Sequence, residues 1–380
     1  MTTALLGYMV VGSVMGLVRG DSTYGQLSIF NEVVRLVLDA YVEPVNLERT
    51  MAGARQGLTE ALDGDSAYLD AEDFRLYQQG PKDSDADVGL LLSRRFAFLQ
   101  VVSVRGGSPG EKAGIKAGDL LKSIDGRHTR PLPAPVGQRM LRGAPGSVVK
   151  LAVLRSGNDP LEFSLVRERL LPAPPKARLL EPGVGYLKLA EMPARSADEV
   201  KAELDGLRRG GARKLVLDLR GVSLGSPAEA VHVAELFLKG GVVAKLTGAR
   251  VTEQVFSADA GKNAWDLPMA TLVDYGTSGP GEIVAAALSD AERSPVVGTR
   301  TYGRAGVQKA VPLEEGGLVI TVAKYISPKG TALHGKGVEP SVPVEPADDE
   351  EEGEKPADGG PDPFIQKALE VLKGEVKKAA

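Results

Sequence analysis

The stretch ATLVDYGTSGPGEIVAAAL, residues Ala270–Leu288, passes from a strand-forming run through a glycine-rich turn into an apolar helix. Leu272 and Val273 lie in a short run that predicts a strand over Ala270–Asp274, and Glu282–Ala291 predicts a helix. Gly279 suits the cap of that helix, Pro280 its first turn and Glu282 the third helical position. The next strand begins at Val296-Val297, in VVGTRTYGRAGVQ (Val296–Gln308). Upstream the same alternation recurs. GVGYLKLAEM (Gly183–Met192) reads as a strand, Ser196–Arg209 as a helix, KLVLDLRG (Lys214–Gly221) as a strand and Pro227–Leu238 as a helix. The run at Lys214–Gly221 is apolar on consecutive residues, as a strand covered on both faces requires. Strands alternating with helices predict an α/β core.

The chain has 380 residues, more than one ordinary domain holds. It is 43% hydrophobic and 25% charged, the composition of a globular protein. Only 5% is aromatic, so Val, Leu, Ala and Ile must build the core. The net charge is −4, and the six acidic residues within Asp348–Glu354 outweigh it. The body is therefore near neutral, which argues against a nucleic-acid partner. The acidic run reads as a solvated linker. Absence of cysteine excludes disulfides, thiolate ligands, a thiol nucleophile and a lipidated N-terminal cysteine. His128, His232 and His334 lack ligand spacing, so neither a metal nor a cofactor is expected.

Ala4–Val18 is an apolar run too short for a span of roughly 20 residues. It suits a signal-peptide core or a short anchor, although no Lys or Arg precedes it and no clear cleavage site follows; a buried helix is the alternative. On the first reading the protein resides at the cell envelope, on its periplasmic side. Leu27, Phe30, Val33, Val34, Leu36 and Val37 recur at helical spacing, and Asn46 can cap a helix over Glu48–Leu62. Residues 26–80 are thus expected to be helical. Residues 83–170 change character. FLQVVSV (Phe98–Val104) predicts a strand, Ser108-Pro109 opens a short helix that Gly114 closes, and Asp125-Gly126 makes a tight hairpin turn after the strand Leu120–Ile124. A helix over Pro135–Leu141 and strands over Val148–Leu154 and Leu161–Arg167 complete this region.

GGSPGEKAGIKAGDLLKSIDGRHT (Gly106–Thr129) resembles a PDZ domain of the bacterial processing-protease type. The region Tyr275–Gln308 resembles the core of the C-terminal processing peptidases, serine–lysine enzymes also called tail-specific proteases. FNEVVRLVLDAYVEPVN and the segment through Phe74 resemble the helical region ahead of their PDZ domain, and GLVITVAKYISPKGTALHGKGVEPSV (Gly317–Val342) their closing segment. The resemblance implies a multidomain α/β protein. Residues 1–25 form a signal or anchor, 26–82 a helical segment, 83–170 a β-rich PDZ domain with two helices, and 173–345 a peptidase-like α/β core. An acidic linker over 346–362 and a C-terminal helix within 363–380 follow.

A PDZ domain adds an extended chain terminus to a strand edge, with loop amides on its carboxylate. The resemblance implies that loop at Val88, Gly89, Leu90 and Leu91, and a pocket lined by Leu90, Leu92, Val136 and Met140; singly, each pocket residue reads better as core, whereas the group together reads as a ligand site. In the peptidase frame, the nucleophilic Ser is replaced by Gly281 and the Lys base by Arg304. A glycine offers no nucleophile. A lysine can be desolvated until neutral, whereas a guanidinium stays protonated. Gln308 matches the residue that orients the Lys. The family's Asn-Pro-Gly-Gly turn, part of the oxyanion environment, reads Gly221-Val222-Ser223-Leu224-Gly225, with only Gly225 retained. The expectation is a homologue without proteolytic activity that binds polypeptide C-termini as a scaffold or regulator, its partner an active protease or a second copy. The alternative is an active serine-type endopeptidase using Ser278 and an unidentified base.

Overall fold

A computed structural model describes residues 23–81, 86–95, 97–155, 159–344 and 362–374. The expected export run Ala4–Val18 and most of the acidic linker lie outside these residues. The described residues fall into two compact units divided after Leu58.

The first unit holds α1 (Thr23–Ala40) and most of α2 (Leu47–Glu60). Asn46 caps α2 as its side chain accepts from the Arg49 amide at 2.9 Å. Leu27, Ile29, Val33 and Leu36 of α1 are exposed. Among the described residues no helix is long and apolar enough to cross a membrane.

The second unit contains three sheets. In the first, β2 (Leu90–Arg95), β3 (Phe98–Val104), β4 (Leu120–Ile124), β6 (Val148–Leu154) and β7 (Leu161–Val166) pair antiparallel in that order, with β5 (Arg127–His128) on β4. Two helices accompany it, α4 (Pro109–Lys112) and α5 (Ala134–Met140). Ser108 caps α4 by accepting from the Glu111 amide. Asp125 and Gly126 both take positive φ at the β4–β5 turn, as a two-residue hairpin of right-handed twist demands. This is the β-rich domain with two helices expected from the sequence.

The second sheet is the α/β core. β9 (Val184–Lys188), β10 (Lys214–Asp218), β13 (Met269–Val273), β14 (Val296–Gly298) and β17 (Val342–Pro343) run parallel, and β8 (Lys176–Glu181) closes one edge antiparallel. Between them run α6 (Ser196–Arg209), α7 (Pro227–Glu235) and α8 (Pro280–Asp290). Both sheet faces are buried. Leu215 and Leu217 join the core formed with these helices, while Val216 faces a second core with Ala368 and Phe364 of α9 (Pro363–Lys373). That two-sided burial is why Lys214–Asp218 carries no polar alternation.

The third sheet joins β15 (Gly306–Pro312), β16 (Gly317–Ile326), β11 (Val242–Gly248) and β12 (Val251–Ser257). Its remaining strand corrects one expectation. Residues 26–80 are not helical throughout, because β1 (Ala67–Leu69) pairs antiparallel with β16, Ala67 opposite Val319 and Leu69 opposite Gly317. The long-range pairing partner, invisible to local periodicity, overrides the helical reading there. The helix α3 (Ala71–Gln79) follows, capped by Asp70.

Candidate functional site

The glycine-rich turn lies at the C-terminal end of β13, and the loop Leu219–Gly225 at the C-terminal end of the adjacent β10. That sheet edge is where α/β folds present their sites. Asp274 ties the two together, accepting from the Gly221 amide at 2.8 Å and the Thr277 hydroxyl at 2.9 Å. Burial pushes its carboxyl above the ordinary range, against these two bonds. The Ser278 amide donates to the Val222 carbonyl at 2.9 Å.

Helix α8 starts as the sequence predicts. The Gly279 amide donates to Glu282 at 2.9 Å, the half of a capping box that a glycine cap allows, with Pro280 in the first turn. Glu282 does more than cap. It also accepts from the Thr301 hydroxyl at 2.6 Å and from the amides of Gly303 at 2.6 Å and Arg304 at 3.0 Å. The carboxylate therefore staples the segment Thr301–Arg304 onto the start of α8. Burial pushes its pKa up to about 7, against the lowering effect of those four donors.

Gly281 is buried within this helix start. A Cβ placed there would lie 2.6 Å from the Val222 carbonyl oxygen, 2.8 Å from Thr277 Cγ2 and 3.2 Å from Val222 Cβ. The loop after β10 thus closes over position 281. Gly225 serves the same loop differently: it bridges to Met192, and its φ of +132° and the Met192 carbonyl leave no room for a side chain. Ser278 is 1% exposed, and its hydroxyl has no hydrogen-bond partner among the described residues.

Arg304 turns to a residue that sequence reasoning missed. Its Nε donates to Asp65 Oδ1 at 2.9 Å, and Asp65 is buried. The Asp63 carboxylate accepts from the Asp65 and Ser66 amides at 3.0 and 2.7 Å and lies 3.4 Å from His334 Nε2. Burial would raise the Asp63 pKa, but hydrogen bonds from His334, Thr321 and these amides hold it below the ordinary value. The Asp-Gly-Asp-Ser turn at Asp63–Ser66 carries the only local signal for this loop, a turn-forming composition between helix and strand. Its approach to Arg304 follows from the β1–β16 pairing. Among the described residues the Gln308 side chain makes one long bond, Nε2 to Thr321 Oγ1 at 3.4 Å.

A cavity of about 140 Å³ brings Arg304 and Gln308 together with Leu91, Leu92, Gln138 and Tyr77. Neither Gly281 nor Ser278 lines it. The residues of the expected PDZ site lie in or against one core, and Leu92 and Val136 also border cavities of about 140 and 360 Å³. Val88, Leu90, Leu92 and Val136 are at most 3% exposed and share one core with Leu69, Phe74 and Val319, while Met140 packs against it partly buried. The edge of β2 is occupied. Gln138 Nε2 donates to the Leu90 carbonyl at 2.9 Å, its Oε1 accepts from the Leu92 amide at 2.9 Å, and the Arg94 amide donates to the Gly64 carbonyl at 3.0 Å. The Val88 and Gly89 amides donate to Asp87 Oδ1 at 2.6 and 2.9 Å. The β-rich domain reaches the α/β core through Ser103 on Ser223, Arg105 on Glu191 at 2.6 Å and Gln100 on the Tyr275 hydroxyl at 3.0 Å.

These features define a peptidase-like α/β core with a docked PDZ domain. Residues 183–344 match the model of peptidase family S41, and residues 100–155 match a PDZ domain. The chain is 30% identical over 332 residues to a carboxy-terminal-processing protease of Bartonella bacilliformis, spanning 86% of this chain and 76% of that protein. It is 28% identical over 369 residues to a carboxy-terminal processing protease of Bacillus subtilis, spanning 94% and 78%. Carboxyl-terminal-processing peptidase 2 of Arabidopsis thaliana is 33% identical over 320 residues, 80% of this chain and 62% of that one. Among solved structures, the photosystem II D1 C-terminal processing protease superposes with a TM-score of 0.71 at 25% identity, covering 86% of this chain and 88% of its own. The chain belongs to the carboxy-terminal processing proteases of peptidase family S41.

Proposed function

We propose that this member of the family does not hydrolyse peptide bonds and instead holds polypeptide C-termini as a scaffold or regulator. The observation that carries this reading is position 281. The resemblance assigns the nucleophile there, and the residue is a glycine with the Val222 carbonyl 2.6 Å from where a Cβ would stand. The fixed cation at Arg304, paired with Asp65 at 2.9 Å, supports it, because a guanidinium cannot take a proton from a hydroxyl. The buried Ser278 hydroxyl argues against a relocated nucleophile. Retention of the PDZ domain supports terminus binding, with Gln138 swinging off the β2 edge when a ligand strand enters. On this reading Ala4–Val18 directs the protein to the periplasmic side of the cell envelope, and its partner is an active protease or a second copy.

Two measurements test the proposal. A fluorophosphonate probe should leave the folded full-length protein unlabelled, and free-C-terminal peptides should bind without being cleaved. Labelling or cleavage that disappears in Ser278→Ala would establish the active endopeptidase instead.

A further inference from the structure

We infer that the cavity at Arg304 receives the terminal carboxylate of a polypeptide, so that the former base position has become an anion-recognition site. The inference rests on the terminus-binding reading above and deepens it by moving the carboxylate out of the PDZ loop. In that loop the amides of Val88 and Gly89 already hold a carboxylate of the chain itself, that of Asp87, whose second oxygen lies 3.3 Å from Arg142 Nε. Arg304 is in the opposite condition. Only its Nε is engaged, by Asp65, and the two Nη groups carry no hydrogen bond among the described residues. A guanidinium has two edges, and the Nη1/Nη2 edge matches the two oxygens of a carboxylate. The side chain remains 27% exposed, so this edge is within reach of a ligand.

The cavity fits the end of a chain. Its volume of about 140 Å³ is below the roughly 300 Å³ at which pockets for drug-sized ligands begin, and suits one terminal residue. Leu91, Leu92, Pro135 and Val319 supply apolar walls for a small aliphatic side chain, and Gln308 adds a polar group beside Arg304. The cavity borders Leu92 and Gln138, so a chain entering along β2 can end there. Asp65 offsets part of the Arg304 charge. The neighbouring cavity of about 410 Å³ also includes Asp65 and is lined by Arg94, Arg95 and Arg300, of which Arg94 and Arg300 are already paired with Glu60 and Glu339.

The test measures fluorescence polarisation of a labelled decapeptide ending in Ala-Val, as free acid and as amide, on the full chain. The free acid should bind about tenfold or more tightly than the amide, as loss of a charge-assisted pair predicts. Arg304→Gln should bring that ratio to about one by weakening binding of the free acid. Arg304→Gln combined with Asp65→Asn removes the unpaired buried carboxylate and should give the same ratio if the single variant is unstable. A preference for the free acid that survives both variants would return the carboxylate to the PDZ loop and overturn the inference, leaving the terminus-binding reading intact. Binding of neither peptide by the parent would overturn both. Acetate added as competitor separates the sources: displacement only by the peptide acid supports a polypeptide terminus, whereas acetate bound with no peptide affinity makes this a small-carboxylate site and refutes the proposal.

Discussion

Adding a side chain at position 281 should destabilise the protein. In Gly281→Ala the new Cβ meets the Val222 carbonyl oxygen at 2.6 Å, about 0.8 Å inside the 3.4 Å at which ordinary contact begins. The oxygen cannot simply retreat, because it also accepts from the Ser278 amide at 2.9 Å, and that bond shapes the turn. Overpacking of this kind costs about 1–3 kcal/mol. Removing a helical glycine returns at most about 1 kcal/mol. Taking the middle of that range, about 2 kcal/mol, less at most about 1 kcal/mol, the net is a destabilisation of about 1–2 kcal/mol, a fall in Tm of about 2–6 °C for a unit of this size. Gly206 provides the internal control. It lies within α6 with nothing within 4 Å of its would-be Cβ, so Gly206→Ala should stabilise by about 0.5–1 kcal/mol. Urea unfolding of the two variants beside the parent should therefore give shifts of opposite sign. A Gly281→Ala protein as stable as the parent would refute the claim that the loop after β10 closes this position. On the proposed function, Gly281→Ser with Arg304→Lys should likewise fail to cleave peptides while the loop holds that place.

Ser278→Ala should be neutral or stabilising by up to about 1 kcal/mol, since the hydroxyl is buried without a partner; a loss of more than that in urea unfolding would mean the group is bonded. Glu282 makes stability pH-dependent. Its folded pKa of about 7 exceeds the ordinary value of 4.5, so its contribution is complete below pH 4.5 and is lost as pH rises towards 7. Between pH 5 and pH 7.5 the parent should lose stability relative to Glu282→Gln, and a gain would reverse the sign of the argument. Gln138→Ala frees the Leu90 carbonyl and the Leu92 amide, so affinity for free-C-terminal peptides should rise about fivefold at a stability cost of about 1 kcal/mol; unchanged affinity in polarisation titrations would show that the amide does not compete with ligands.

Local physics made much of the fold legible. The start of α8 follows from Gly279, Pro280 and Glu282, whose capping preferences act over three residues. The PDZ hairpin follows from Asp125-Gly126, and the two-faced burial of β10 from its unbroken apolar run. The glycine at 281 and the arginine at 304 are likewise read from the sequence alone. What the tertiary structure decided depends on partners far apart in the chain. Asp65 reaches Arg304 across 239 positions because β1 pairs with β16, and no local pattern encodes that pairing. The same holds for Glu282 gripping Thr301–Arg304 and for Val222 closing over Gly281. It holds also for Gln138 and Asp87 occupying the groups a ligand would use. The sequence determined which side chain each position carries, glycine at 281 and arginine at 304 among them, since identity is read residue by residue. Only the packing decided whether these groups are free or already satisfied, because that depends on what the folded chain brings within hydrogen-bonding distance.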